Sequence, residues 1–281
     1  MIKLYILSLI AGIICLTSCD KDNNSPAPNS AITKAFNEKY PGASRVEWEK
    51  KNSYMTADFV YEQSVNTAWF NNAGQWYMTE TELRDISQLP EAVRTAFKNS
   101  EYASWTTDDI DRLERLDNEP IYIIEVKNGK VEYELYYSED GVLIKVIPDD
   151  DNDDYEDFLP DTHPIPSAIT EVINAKYPNA RIIETETEHG YTEVDIIHNN
   201  RGKEIVFNNK QEWVNTHYDV WKNEVDDIVV QALANSEYRD YIIDDIEKYE
   251  TPDGDYYLYE LEKGERELNI KIDLSGNISR I

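Results

Sequence analysis

The residues of this chain that could perform chemistry are mostly carboxylates. Of its 281 residues, 56 are Asp or Glu, 27 are Lys or Arg, and four are His. Two adjacent carboxylate pairs, Asp108-Asp109 and Asp244-Asp245, occupy matching places in the two halves of the chain. General acid-base catalysis needs carboxylates that converge across a cleft, whereas adjacent residues on a strand point to opposite faces. We therefore interpret both pairs as solvated surface groups.

The sequence contains no motif for nucleophilic, nucleotide or metal chemistry. The histidines do not form an HExxH or another metal-ligand spacing, and no GxSxG, P-loop or GxGxxG motif occurs. We interpret each histidine as a surface or strand residue; they are His163, His189, His198 and His217. The sequence therefore predicts a protein that is not an enzyme.

The one metal site that the sequence suggests lies in an acidic segment near the middle of the chain. Asp149, Asp151 and Asp153 have the alternate spacing of oxygen ligands that begins a calcium loop. The sixth position of such a loop is Asp154 instead of Gly, and the twelfth is Pro160 instead of Glu, so this is not an EF-hand. Weak calcium binding is one hypothesis, and no other cofactor is expected.

The N-terminus has the pattern of a bacterial export signal. Lys3 precedes an apolar run from Leu4 to Leu16, which is too short for a stable membrane-spanning helix. The run ends in Leu16-Thr17-Ser18-Cys19, which resembles a lipobox, so we expect residues 1–18 to be a signal peptide and Cys19 to be acylated. Residues 19–29 are polar and predict a flexible tether. We expect an outer-membrane lipoprotein that faces the periplasm or the cell surface.

The charge of the chain restricts its partners. The formal net charge is −29, which disfavours contact with nucleic acid or with anionic membrane faces. We expect the lipid anchor to be the only membrane contact. A negative surface favours cationic partners, although it also keeps an exported protein soluble when no partner is present.

Most of the chain is a long-range duplication. Lys39-Tyr40-Pro41 and Phe70-Asn71-Asn72 recur as Lys176-Tyr177-Pro178 and Phe207-Asn208-Asn209, with the same distance along the chain between the members of each match. Equal offsets over such a length of chain indicate two copies of one fold. We place the copies at residues 30–147 and 165–281. Residues 148–164 between them begin with a dense block of Asp, which predicts an extended, solvated linker.

Each copy contains a weaker internal repeat of a helix followed by strands. Ile32 and Phe36 recur further along the first copy as Val93 and Phe97, at the spacing of one helix face. Residues 267–274 alternate polar and apolar side chains, which is typical of a half-buried antiparallel strand. Turn signals rich in Asn, Asp and Gly separate such runs. The sequence therefore predicts an α+β fold of two tandem domains, each made of two units with one helix and three or four antiparallel strands.

These features resemble the PepSY-like family, which is grouped with the fold of the β-lactamase inhibitor protein. The resemblance rests on the helix that ends in Lys-Tyr-Pro and on the alternating strands with Asn-Asn or Asp-Gly hairpins, and it covers residues 30–146 and 165–281. It implies tandem helix-plus-four-strand units in a bacterial envelope protein that binds or inhibits other envelope proteins. The inhibitor protein is disulfide-bonded, whereas the mature chain would keep only Cys19, and no stretch matches an inhibitory loop. β-Lactamase inhibition is therefore not expected.

Aromatic residues indicate how a partner would be bound. The chain has 20 Tyr and six Trp, residue types that are frequent at protein contact surfaces. We predict that four of them contact a partner from the sheet surfaces: Trp48, Tyr61, Trp69 and Tyr136. The leading hypothesis is a non-enzymatic, lipid-anchored envelope protein that binds a protein or peptide, preferably a cationic one. The alternative is a calcium-responsive protein that uses its acidic surface and linker.

Overall fold

The structure, a computed structural model, describes residues 27–148, 155–159, 165–264 and 266–281. The first copy contains α1 (Ser30–Lys39), β1 (Ser44–Lys51), β2 (Tyr54–Tyr61), β3 (Ser64–Asn71), β4 (Trp76–Glu82), α2 (Glu91–Asn99), β5 (Thr106–Arg115), β6 (Ile121–Asn128), β7 (Val131–Ser138) and β8 (Leu143–Pro148). The second copy contains α3 (Ser167–Lys176), β9 (Arg181–Glu188), β10 (Tyr191–Ile197), β11 (Gly202–Phe207), β12 (Trp213–Asp219), α4 (Asp227–Ala234), β13 (Ile242–Glu250), β14 (Tyr256–Lys263), β15 (Arg266–Asp273) and β16 (Ile278–Arg280). The predicted α+β fold of tandem helix-plus-sheet units is confirmed, with four strands in every unit.

The strands of each copy form one antiparallel sheet. Strands β1 to β8 pair in chain order in the first sheet, and β9 to β16 pair in chain order in the second. The helices of each copy pack on one face of its sheet, which we call the helix face. We call the opposite face the open face. Because successive strand residues point to opposite sides, alternate residues of every strand belong to alternate faces.

The repeated Lys-Tyr-Pro motif joins each helix to its sheet. Tyr40 is buried in the apolar core under α1. The ammonium of Lys39 lies 3.7 Å from the ring centre of Trp76 on β4. The same contact joins Lys176 to Trp213 in the second copy, at 3.6 Å. These recurring residues are therefore explained by the packing that both copies share.

Two hairpins of the first sheet require glycine. Gly74 and Gly141 have φ angles of +83° and +82°, in the left-handed region that favours glycine. A Cβ atom would lie 2.7 Å from the backbone of Ala31 at the first position and 2.6 Å from the backbone of Ala92 at the second. Each hairpin therefore passes directly against the first turn of a helix and fixes that helix on the sheet.

The segment between the two copies is not wholly extended and solvated. Tyr155–Phe158 form a short 3-10 helix, in which Tyr155 and Phe158 are only 4% and 6% exposed. The prediction of a solvated linker is therefore wrong for this part. The charge density of the linker can be read from neighbouring residues. The burial of Tyr155 and Phe158 cannot, because it depends on an apolar surface that other elements of the fold provide.

Candidate functional site: the open faces of the two sheets

The open face of the first sheet is apolar at its centre. Six side chains of this face belong to one buried cluster: Trp69, Met78, Leu113, Ile121, Ile123 and Tyr136. Burial of apolar surface stabilises a protein by about 25 cal/mol per Å², so an uncovered face of this kind would be unfavourable. Residues Tyr155–Leu159, which we call the covering segment, pack on it. The chain thus covers this face with its own residues.

Phe158 is the centre of the covering segment. Its ring stacks on Tyr136, with the ring centres 5.4 Å apart and the planes 22° from parallel. Two cations lie near the same ring: the guanidinium carbon of Arg115 is 5.5 Å and the ammonium of Lys145 is 5.1 Å from its centre. Apolar burial, ring stacking and cation–π contacts therefore act together on one side chain.

Tyr155 packs at the acidic end of the same face. Its hydroxyl donates a hydrogen bond of 3.1 Å to Oδ2 of Asp111, which is buried. Burial, followed by the negative charges of Glu80 and Asp109, raises the pKa of Asp111 to about 9. Asp111 is therefore protonated at neutral pH, and the covering segment lies on an uncharged carboxyl group.

The covered face continues into the contact between the two domains. Ile183 and Ile197 of the second domain belong to the same apolar cluster. Lys145 on β8 reaches Glu184 and Asp195 on the open face of the second sheet, with Nζ–O distances of 2.8 and 3.0 Å. Burial opposes the charge of Lys145, but Asp195 and Glu184 keep its pKa above the ordinary value. The two domains therefore share an apolar core and a buried charge cluster.

A row of directly opposed residues crosses the open face of the second sheet from β10 to β15. Its members are Asp195, Glu204, His217, Tyr249, Tyr256 and Asp273. The rings of His217 and Tyr249 are 4.8 Å apart and 7° from parallel, and those of Tyr249 and Tyr256 are 4.9 Å apart and 4° from parallel. The ammonium of Lys271 lies 3.7 Å from the ring centre of Tyr256. The stacked rings hold one another in place, so this surface is preorganised.

Carboxylates surround the ring row. Burial and the charge of Asp195 raise the pKa of Glu204 to about 7. Burial and the charges of Asp219 and Asp245 raise the pKa of Glu247 to about 7 as well. Each of these carboxylates makes ionisation of its neighbours less favourable. A cation bound among them would remove that repulsion.

The two open faces differ at equivalent positions. The corresponding residues are Trp69 and Val206, Met78 and Asn215, Leu113 and Tyr249, Ile123 and Leu258, and Tyr136 and Lys271. Among the described residues, none of the buried apolar clusters includes Val206, Tyr249 or Leu258. The second open face is therefore amphipathic and half-buried, whereas the first is apolar and covered.

None of the four aromatic residues predicted to contact a partner lies on the second open face. Trp69 and Tyr136 are 1% and 2% exposed beneath the covering segment, so their predicted position at a contact surface is wrong. Trp69 points to the open face, opposite to Ala68 and Phe70 of the α1 core, but the local sequence could not show that the open face is covered. Trp48 and Tyr61 are half-buried and pack against the core of α1 on the helix face.

The residues that the sequence interpretation missed are His217, Tyr249 and Tyr256. They are ordinary strand residues in the local pattern. The available signal was the difference between the copies, because Tyr249 and Lys271 replace Leu113 and Tyr136. Such differences become informative only when the register shows that the positions share one face.

Two predicted features lie outside the described residues. These are the acylation site Cys19 and the calcium ligands Asp149, Asp151 and Asp153. Both stay predictions. Within the described ranges, no group of three or more His, Cys, Asp or Glu side chains could hold a metal ion. In the same ranges, no helix is long and apolar enough to cross a membrane.

Comparison with known proteins places both copies in one group. A family model described as "Putative beta-lactamase-inhibitor-like, PepSY-like" matches residues 52–145, 157–200 and 190–280. The chain is similar to the crystal structure of a BLIP-like protein from Bacteroides fragilis, with 35% identity over 52% of this chain and 99% of that chain and a TM-score of 0.43. It is also similar to a DUF2874 family protein from Bacteroides ovatus, with 31% identity over 44% of this chain and 89% of that chain and a TM-score of 0.42.

A more distant similarity concerns a "putative calcium-regulated periplasmic protein" from Bacteroides thetaiotaomicron. The identity is 18% over 49% of this chain and 95% of that chain, with a TM-score of 0.22. This similarity is too low to transfer a calcium response. No curated protein matches the chain.

Proposed function

Because this chain belongs to the PepSY-like, β-lactamase-inhibitor-like family, we propose that it is a non-enzymatic cell-envelope protein that binds a partner protein on the open face of its second sheet. The absence of catalytic motifs from the sequence supports a binding role. Fold alone does not assign a function, so the proposal depends on the properties of this face.

The observation that carries the proposal is the contrast between the two open faces. The first open face is covered by the chain's own Tyr155–Leu159. On the second sheet, the β9–β10 edge of this face packs on the first domain through Ile183 and Ile197, whereas Val206, Tyr249 and Leu258 belong to none of the buried apolar clusters of the described residues. The second open face combines a preorganised row of aromatic rings with half-buried Leu258 and with carboxylates. Half-buried aromatic and apolar groups with a polar rim are characteristic of protein interfaces.

We place this binding activity at the bacterial cell envelope. The N-terminal pattern of this chain predicts export, which supports this location. We further propose that Cys19 carries a lipid anchor and that the polar residues after it separate the folded domains from the membrane. Replacement of Cys19 by Ala should release the protein from the membrane fraction, whereas retention there would contradict the anchor.

Site-specific photo-cross-linking in intact cells tests the binding face. A photoreactive phenylalanine analogue at Leu258 would lie on the second open face, and the same analogue at Ile228 would lie on the exposed surface of α4, where Ile228 is 47% exposed. We expect a discrete adduct with one protein from position 258 and none from position 228. Absence of an adduct at 258, or equal adducts from both positions, would contradict the proposal.

A further inference from the structure

Opposed carboxylates recur on the open face of the second sheet. Glu184 stands directly opposite Asp195, Asp219 opposite Glu247, and Asp245 opposite Glu260. Like charges directly opposite each other destabilise an antiparallel pair of strands. Each pair therefore reduces the stability of this sheet unless a cation lies between its members.

The first of these pairs shows how such a cation is supplied. Lys145 belongs to the other domain, and its ammonium lies 2.8 Å from Glu184 and 3.0 Å from Asp195. The ammonium also lies 5.5 Å from the centre of the Tyr136 ring. A basic side chain from the first domain thus binds an opposed carboxylate pair of the second domain beside an aromatic ring.

In the part of the chain that the structure describes, the other two pairs have no such cation. Within residues 165–264 and 266–281 and the described part of the first domain, no Lys, Arg or His forms a salt bridge with Asp219, Glu247, Asp245 or Glu260. Nearby basic groups have their direct contacts elsewhere: Lys271 lies on the ring of Tyr256, and Arg201 donates to Glu224. The charge of Arg201 still lowers the pKa of Asp219, but burial and the charge of Asp245 outweigh it and raise that pKa to about 6. The first domain adds a further acid, because burial and the charges of Asp245 and Asp244 raise the pKa of Glu101.

We propose that the pairs Asp219–Glu247 and Asp245–Glu260 each bind one Lys or Arg side chain of an extended segment of the partner. The inference rests on the proposed function and specifies the chemistry of the partner. The second pair is displaced from the first by two residues along the strand and by one strand across the sheet, so the two pairs are about 8 Å apart. The side chains of residues i and i+2 of an extended chain have a similar separation, so two basic residues at these positions can reach both pairs. Leu258 is directly opposite Glu247 and adjoins both pairs, so it can pack against the aliphatic part of a basic side chain.

A peptide titration tests this chemistry on the full mature protein. The probe is a nine-residue, acetylated and amidated peptide with two arginines separated by one residue and otherwise Ser, Thr and Val. Its control has citrulline, a neutral isostere, in place of both arginines. Binding is followed by NMR shifts at 0.15 M ionic strength. We expect the arginine peptide to bind at least ten-fold more tightly than the citrulline peptide and to shift signals of β12 to β14.

Two matched protein variants separate a local site from general attraction to an acidic protein. E247Q/E260Q removes one charge from each pair, whereas E38Q/E91Q removes two charges from α1 and α2 and changes the net charge equally. We expect the first variant to weaken binding of the arginine peptide at least ten-fold and the second less than two-fold. Thermal melts serve as the folding control. E247Q/E260Q should melt at or above the wild-type temperature because it relieves repulsion, whereas E38Q/E91Q should melt slightly below it because Glu38 pairs with Lys34 and Glu91 lies in the first turn of α2.

The outcomes distinguish this inference from the proposed function. Equal weakening by both variants, or equal binding of both peptides, would show that no local site for basic side chains exists. If cross-linking from position 258 captured a partner through a segment without Lys or Arg, the binding function would stand and this inference would be wrong. A cross-linked segment with basic residues at i and i+2 would support both.

Discussion

Phe158 lies on the ring of Tyr136, although strand β8 and a block of Asp separate them along the chain. This contact closes the open face of the first sheet with the segment that connects the two domains. The segment buries the apolar open face of the first domain. The equivalent face of the second domain is amphipathic because other residues, such as Tyr249 and Lys271, occupy the equivalent positions.

Replacement of Phe158 by Ala should destabilise the protein by about 3 kcal/mol, the usual cost of deleting a buried aromatic side chain. The loss has two sources, since both the apolar burial and the contacts with Tyr136 and Lys145 disappear. Urea unfolding of the mature protein measures the change. The control I228A removes a side chain that is 47% exposed and should change stability by less than about 0.5 kcal/mol. Equal effects of the two variants would show that the covering segment is not docked in solution.

Replacement of Lys145 by Met should also destabilise the protein by about 3 kcal/mol, because Glu184 and Asp195 would lose their counter-charge in a buried place. The additional replacement of Glu184 by Leu should restore part of the loss, since it removes one of the uncompensated charges. As a control, R239M breaks an ion pair with Asp240 whose side chains are 65% and 67% exposed, and it should have almost no effect. Urea unfolding of K145M, E184L, K145M/E184L and R239M measures each change, and additive effects of the two core substitutions would contradict this coupling.

The buried carboxyl of Asp111 should make stability fall as the pH rises. Its pKa is raised to about 9 in the folded protein, whereas an unfolded Asp has a pKa of about 3.9. Between these values the folded state holds a proton that the unfolded state has lost, so ionisation favours unfolding progressively. Asp111→Asn keeps the neutral form at every pH. We expect similar stability of the variant and the wild type near pH 4, and a growing advantage of the variant up to pH 9.

Urea unfolding at several pH values measures this difference directly. A constant difference between Asp111→Asn and the wild type from pH 4 to pH 9 would show that Asp111 is ionised in the folded protein. The carbon-13 shift of the Asp111 carboxyl provides a second test, because it should not change through the pH range where exposed Asp residues titrate.

The two open faces should respond differently to the same substitution at equivalent positions. Ile123 is fully buried under the covering segment, and Ile123→Ala should cost about 3 kcal/mol. Leu258 is half-buried on the second open face, and Leu258→Ala should cost about 1 kcal/mol, as expected for a side chain that has less surface to lose. Chemical denaturation compares both. A cost for Leu258→Ala as large as that for Ile123→Ala would mean that the second face is covered as well.

Local patterns were sufficient for the elements that build the candidate site. Equal offsets between Lys39-Tyr40-Pro41 and Lys176-Tyr177-Pro178 predicted two copies, and the structure contains two eight-stranded sheets with the same packing contacts. The spacing of apolar residues predicted the helices, and the alternation of polar and apolar residues predicted the strands. Both patterns involve only nearby residues, and both recur in the four helix-plus-strand units. The site itself was missed, since Tyr249 and Tyr256 become neighbours only through the pairing of β13 with β14.

By itself, the sequence determined that this protein is a duplicated α+β chain with an acidic surface and a pattern for export, because periodicity, offsets and charge are properties of the chain. Only the tertiary structure decided which sheet face is covered. The side chain of Trp69 points to the open face, opposite to its neighbours along β3. Its burial, however, depends on Tyr155–Leu159, which follow the last strand of the first sheet. The acidic linker was predicted to be solvated because the density of charge is visible in the local sequence. Phe158 is nevertheless buried, because the folded sheets bring together an apolar face and two cations that contact its ring.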